Sequence, residues 1–345
     1  MKKTFKSITS YLKGLFLFPY YSYKSYKILK NSCLNHKTQH NMARIPAIGS
    51  DFKDYILNHD MQQVIKSLKN GLDELSAKHV DFMIEAIMNF PSAKYKDFFY
   101  NDNIIKYYPE WLRNEAVLAE AESKKLWGKG FWGGYECVYY KHGINLLPQK
   151  AQDYVKNKIF LDMGAFDGDS AYLLSTCNPS KILSFEISSK NIEKYKHNLN
   201  EKGINNYEIF RCALSNKVGS MNFDDNGTWS DTVVQGGKDT VEVNTLDNFV
   251  VEHGIEKISF IKADIESEEP NMLKGAIETL KRDRPVLALS IYHDPISFFE
   301  IKKFLEGLNL NYKFIIRVMG FYECGPINEA NLIAYPAEYC ENYCK

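Results

Sequence analysis

Neither sign of charge prevails in the 345-residue chain, where 43 Lys and Arg stand against 43 Asp and Glu. Zero net charge argues against a nucleic-acid binder built on a basic surface, and no nucleic-acid partner is expected. Cysteine is scarce and scattered, at 33, 137, 177, 212, 324, 340 and 344. Such a set makes no disulfide framework and suits a reducing compartment. Cys340 and Cys344 lack a second ligand pair, so no zinc site is expected. Long apolar runs are missing too. Pro19 and its Lys and Ser neighbours interrupt the run at residues 15–21, which leaves a membrane-spanning helix unsupported. The cleavage pattern of a secretory signal is absent. A cytoplasmic location is expected.

What is present divides into three stretches. Residues 1–50 are basic and aromatic, then polar, and read as an arm that packs on the protein's own body, lies on the inner membrane surface, or docks a partner. Residues 51–150 read as a mostly helical accessory region. Tyr55, Ile56, Met61, Val64, Ile65 and Leu68 recur at helical steps, and a second run follows Asn70-Gly71 until Pro91. A third helix is expected over residues 111–123, behind Pro109. The glycines at 128, 130, 133 and 134 follow no clear strand and read as a packed turn. The helical region offers its own face to this domain or to a second copy of the chain. Residues 151–345 carry the chemistry.

There, short apolar runs alternate with helices, and polar residues sit at the strand ends. The run at residues 159–161 leads into Asp162, Gly164, Ala165, Phe166 and Gly168. Small residues allow a ligand close to the backbone, the next helix start offers amides to an anion, Asp169 can cap that helix, and Asp162 can meet an ammonium. The second strand, residues 181–185, ends in Glu186, placed to accept both hydroxyls of a ribose. The third, residues 207–211, ends at Cys212 and Ala213, which would line the base side of the crevice. An antiparallel excursion at 218–223 and 240–244 carries a loop with Trp229, read equally as a mobile lid or an ordinary insertion. Strand four (257–263) delivers Asp264 and Glu266, and strand five (286–292) delivers His293. Two last strands, 312–319 and 332–335, have no helical crossover between them and should form an antiparallel hairpin.

Taken in order, FLDMGAFDGDS, FEIS, RCALS, VNTLDNF, FIKADIESEEPNMLKGA and RPVLALSIYHD resemble the FkbM family of S-adenosylmethionine-dependent methyltransferases. The resemblance covers roughly residues 157 to 336. It implies a seven-stranded class I methyltransferase sheet, Rossmann-like, with a reversed final strand. It also implies S-adenosylmethionine as cofactor, with Asp162 and Gly164 at the methionine end, Glu186 at the ribose and Cys212-Ala213 at the adenine, and a carbohydrate-like or other hydroxyl-bearing acceptor. Where the family reads Asp-x-Glu-Gly-x-Glu, this chain has Ser267 in place of glycine, tolerable unless the backbone needs a positive φ. His293 is the candidate base, and Asp264 and Glu266 could assist as base, hydrogen-bond acceptors or hard-cation ligands. Two carboxylates do not establish a metal. A nicotinamide-dependent oxidoreductase, a protein methyltransferase and a non-catalytic cofactor-binding scaffold are the rival readings.

Overall fold

Apolar runs of five or six residues, each followed by a helix, build a parallel sheet, because the crossover returns the chain to the same sheet edge. The computed structural model describes residues 51–52, 54–89, 108–127, 134–228, 237–320 and 329–340. The arm at 1–50, Gly128, Gly130, Gly133 and the lid residue Trp229 lie outside them. In chain order the strands are β1 (Ile159–Met163), β2 (Lys181–Phe185), β3 (Tyr207–Phe210), β4 (Cys212–Leu214), β5 (Gly219–Phe223), β6 (Asp239–Asn244), β7 (Ile258–Ala263), β8 (Val286–Ser290), β9 (Tyr312–Val318) and β10 (Ala330–Pro336). The helices used below are α1 (Met61–Lys69), α2 (Glu74–Asn89), α3 (Glu110–Trp127), α4 (Tyr135–Val138), α5 (Gln149–Val155), α6 (Asp169–Ser175), α7 (Ser189–Glu201), α8 (Leu246–Glu252), α9 (Glu269–Lys274), α10 (Ile277–Asp283) and α11 (Pro295–Gly307).

Seven strands form one sheet in the order β3-β2-β1-β7-β8-β10-β9. β1 pairs in parallel with β2 and β7, β7 with β8, and β10 runs antiparallel to β8. This is a Rossmann-like class I methyltransferase sheet with its terminal hairpin. Every residue of β7 and β8 is buried, as strands covered on both faces must be. The order reverses between β1 and β7, so the carboxyl ends of β1, β2, β7 and β8 flank the crevice where such sheets bind ligands.

The structure corrects the reading of the third strand. Arg211 alone separates β3 from β4, and β4 leaves the main sheet to pair in parallel with β6 in a second sheet ordered β4-β6-β5. Cys212 and Ala213 therefore belong to that small sheet and not to the tip of a longer β3. β5 and β6 pair antiparallel, as expected of the excursion.

The described residues fall into two compact units, one of residues up to 118 with 316–330, the other of 119–315 with 331–345. In the first, Val80, Met83, Leu112 and Ala116 are fully buried. Ser76 and His79 of α2 accept hydrogen bonds from the backbone N–H groups of Ile316 and Val318. β9 is an edge strand, and these bonds occupy donors that would otherwise invite another chain. In the second unit, Phe160, Phe260, Leu287 and Ile333 fill the sheet interior. No described helix is long and apolar enough to cross a membrane.

Candidate active site

The site begins where β1 ends. Gly164 has φ +74°, and a Cβ there would lie 1.9 Å from the carbonyl oxygen of Asp264. Glycine is required twice over, by its dihedral and by the close passage of β7. What approaches Gly164 here is a neighbouring strand end. The loop amides are largely committed: those of Gly164 and Ala165 donate to the Phe185 carbonyl at 3.0 and 3.1 Å. Asp169 does not cap α6. Gly168 holds the cap position, and the amides of Asp169 and Ser170 go to the carboxylates of Asp167 and Asp169. The helix start does not offer those two to an anion.

Asp162 is fully buried, and neither carboxylate oxygen has a hydrogen-bond partner. Lys262 faces it at 3.3 Å and donates to the Met163 and Gly164 carbonyls at 3.2 and 2.7 Å. Burial pushes Asp162 up, to about 6, against the opposing pull of Lys262. Burial would lower Lys262, but Asp162, Asp264 and Asp169 outweigh it and raise it. A lysine within an apolar run gave no sequence signal for this role.

Glu186 stands at the tip of β2. Its carboxylate accepts the amides of Phe166 at 2.9 Å and Ser188 at 2.8 Å. Burial raises Glu186 to about 7, although these amides favour its charged form. The remaining lone pairs are those a ribose would use. The loop after β5 docks beside it, with Asp225 accepting from the Ser188 hydroxyl and the Ser189 amide at 2.6 and 3.0 Å. Cys212 is buried nearby in the chain path, its thiol 3.2 Å from the Ala213 carbonyl, and Arg211 donates to the Ile187 carbonyl.

The ends of β7 and β8 bring three carboxylates around one histidine. His293 Nε2 lies 3.4 Å from Asp264 Oδ1 and 3.6 Å from Glu266 Oε2, and Nδ1 lies 3.5 Å from Glu269 Oε1. Burial would lower His293, but Glu269, Asp264 and Glu266 raise it to about 10. Glu269 is fully buried and its Oε1 accepts the Ile265 amide. The turn between Asp264 and Glu269 places Glu266 at φ +59° and Ser267 at φ +81°. The backbone does demand a positive φ where serine replaces glycine.

A second cluster had no sequence signal. α4 packs on α6 through Cys137, Val138 and Leu173. Cys137 Sγ lies 3.1 Å from His142 Nε2, both buried. Burial raises the thiol and lowers the imidazole, so the pair stays neutral and is no thiolate nucleophile. Burial also raises Glu136 to about 7, with Asp169 and Asp264 adding to it.

Residues 162–319 match the methyltransferase FkbM domain. The chain carries an FkbM methyltransferase domain. A solved FkbM methyltransferase from Methylobacillus flagellatus KT shares its fold at 17% identity and a TM-score of 0.54, covering 79% of this chain. The chain spans 58% of that structure's length. An rRNA methylase from Streptococcus thermophilus gives 10% identity and a TM-score of 0.34 over 54% of this chain and 91% of its own. A ribosomal protein L11 methylase from Lactobacillus delbrueckii subsp. bulgaricus gives 11% and 0.34 over 59% and 80%. No curated protein matches the chain.

FkbM methyltransferases use S-adenosylmethionine, and the residues here fit it. The orphaned oxygens of Asp162 on β1 and the carboxylate of Glu186, only partly used by the Phe166 and Ser188 amides, stand on neighbouring paired strands. Sequence reasoning placed Asp162, Gly164, Glu186, Asp264, Glu266 and His293 at the rim of the crevice. It missed Lys262 and the close approach of Glu269 to His293.

Proposed function

We propose that this chain transfers the methyl group of S-adenosylmethionine to a hydroxyl of a carbohydrate-like or related small acceptor seated over the ends of β7 and β8. The observation that carries the reading is the convergence of Asp264, Glu266 and His293 beside the cofactor loop. When bound, the sulfonium supplies an activated methyl and a leaving group that keeps the C–S electron pair. The chain must then position the acceptor oxygen and receive its proton. Asp264, Glu266 and His293 are the groups placed to orient the acceptor hydroxyl and to receive its proton. The same carboxylates can accept hydrogen bonds from adjacent sugar hydroxyls.

The accessory region at residues 51–150 contributes to acceptor choice on this reading, with the reaction in the cytoplasm and residues 1–50 as a contact to the inner membrane surface or a second copy. The test is incubation with methyl-labelled cofactor and extracts of the source cell, split into glycan, protein and nucleic-acid fractions. Label in glycan or small hydroxyl compounds supports the assignment; label confined to protein or nucleic acid overturns it. Calorimetry decides the cofactor, since Glu186 would suit a nicotinamide ribose as well. Saturable nicotinamide binding without methyl-donor binding overturns the methyl donor.

A further inference from the structure

Asp264, Glu269 and His293 each place a donor atom within 4.8 Å of the others. Carboxylates alone would carry little weight, but His293 is an independent pointer. Its side chain is 4% exposed, and neither ring nitrogen has a hydrogen-bond partner. Asp264 Oδ1 and Glu269 Oε2 are buried and unpartnered as well. Nε2 and Asp264 Oδ1 face each other at 3.4 Å, both buried and both without a hydrogen-bond partner, and one shared cation would satisfy the two together. Lys262, whose charge is felt by Asp264, is committed to Asp162 and two backbone carbonyls. Three carboxylates also leave the cluster negative even against a charged imidazole.

We propose that Asp264, Glu266 and Nε2 of His293 bind a divalent first-row cation, with Glu269 holding the ring by accepting from Nδ1–H. Donors about 2.1 Å from one cation lie about 3.0–3.4 Å apart, and Nε2 stands 3.4 and 3.6 Å from the two oxygens. The carboxylate behind Nδ1 fixes the tautomer and presents the Nε2 lone pair, as second-shell carboxylates do at metal histidines. One imidazole with two carboxylates suits Mn²⁺, Fe²⁺ or Zn²⁺ better than the all-oxygen preference of Ca²⁺. Three protein ligands leave positions open toward the crevice. Resting on the reading above, an acceptor hydroxyl would take one of them and be polarised there.

The test reads binding without methyl donor or acceptor, so its outcome is separate from that of the methyl-transfer assignment. Full-length protein is stripped with chelator and titrated with MnCl₂, followed by the loss of the free Mn²⁺ resonance. One Mn²⁺ per chain is expected, with a directly coordinated imidazole nitrogen in spin-echo modulation. His293→Ala and Asp264→Asn, each checked for a native circular-dichroism spectrum, should weaken binding at least tenfold, and His293→Ala should abolish the nitrogen signal. Glu269→Gln should weaken it about tenfold. No saturable binding to folded wild type overturns the site, as does binding that neither His293→Ala nor Asp264→Asn changes.

Discussion

Lys262 stands directly across from Asp162 in the register of β7 and β1, its ammonium 3.3 Å from the carboxylate inside the fold. Register partners on parallel strands point to the same face, so the pairing follows from the sheet itself. The lysine also ties down the carbonyls of Met163 and Gly164, the first turn of the loop after β1. One buried cation thereby neutralises the acid at the end of β1 and fixes the loop that follows.

Removing that cation leaves a buried carboxylate without a counter-charge, which costs about 3–5 kcal/mol. Lys262→Met should lose roughly this amount in urea unfolding. Adding Asp162→Asn should restore most of it, because the uncompensated charge is gone. Strict additivity of the two changes would show that the groups do not interact.

Ser267 holds φ +81° where glycine would sit without strain. A non-glycine residue in the left-handed region costs about 1–2 kcal/mol. Ser267→Gly should therefore stabilise the protein by about 1 kcal/mol, raising Tm by about 2–4 °C for a domain of this size. An unchanged or lower Tm would mean that the serine is held by contacts worth as much as the strain.

The sheet was legible because its strands are short apolar runs punctuated by helices, and Glu186 because an acid at the end of such a run is conspicuous. Lys262 was not, since a lysine within an apolar strand reads as a solvated side chain until register supplies its partner. Cys212 was misplaced because one residue, Arg211, divides two strands that look continuous in sequence. Cys137 meets Asp169 and Ser170 only across 32 and 33 residues of chain, a separation no local pattern reveals. The need for a positive φ at Ser267 depends on how β7 turns into α9, which spacing alone does not fix.

The helical unit should be acid-sensitive through His79. Its Nδ1 accepts the Val318 amide at 3.2 Å, and Nε2 faces Glu115 at 3.7 Å. Burial, the largest influence, lowers its pKa; Glu115 comes next and opposes it, and Arg317 adds to the lowering. The folded chain thus binds this proton less readily than the unfolded chain, whose histidine titrates near about 6.5. The stability that neutral His79 provides is present above that value and is lost as pH falls through it. Thermal unfolding should show Tm falling between pH 7.5 and 5.5, and His79→Gln, which keeps an acceptor but cannot take the proton, should flatten the fall. An equal fall in both proteins would remove His79 as the cause.

Cofactor affinity should rise with pH through Glu186. Burial holds its carboxyl near 7, whereas two ribose hydroxyls donate best to the ionised form. Below pH 7 the cofactor must bind a group that has taken a proton; above it, the anion is ready. With a folded value near 7, about a tenth of the sites are ionised at pH 6, so affinity there should be up to about tenfold weaker than at pH 8. Asp162 and Asp167, both near 6, complete their ionisation earlier and contribute little above pH 7. The cofactor's own amine titrates as well, which is why the comparison is with Glu186→Gln: its profile carries the amine and lacks the carboxylate. Calorimetric affinities for S-adenosylmethionine from pH 6 to 8 should therefore be weaker in the variant at pH 8 and converge with wild type toward pH 6. Parallel profiles for the two proteins would show that Glu186 is not the group that meets the ribose.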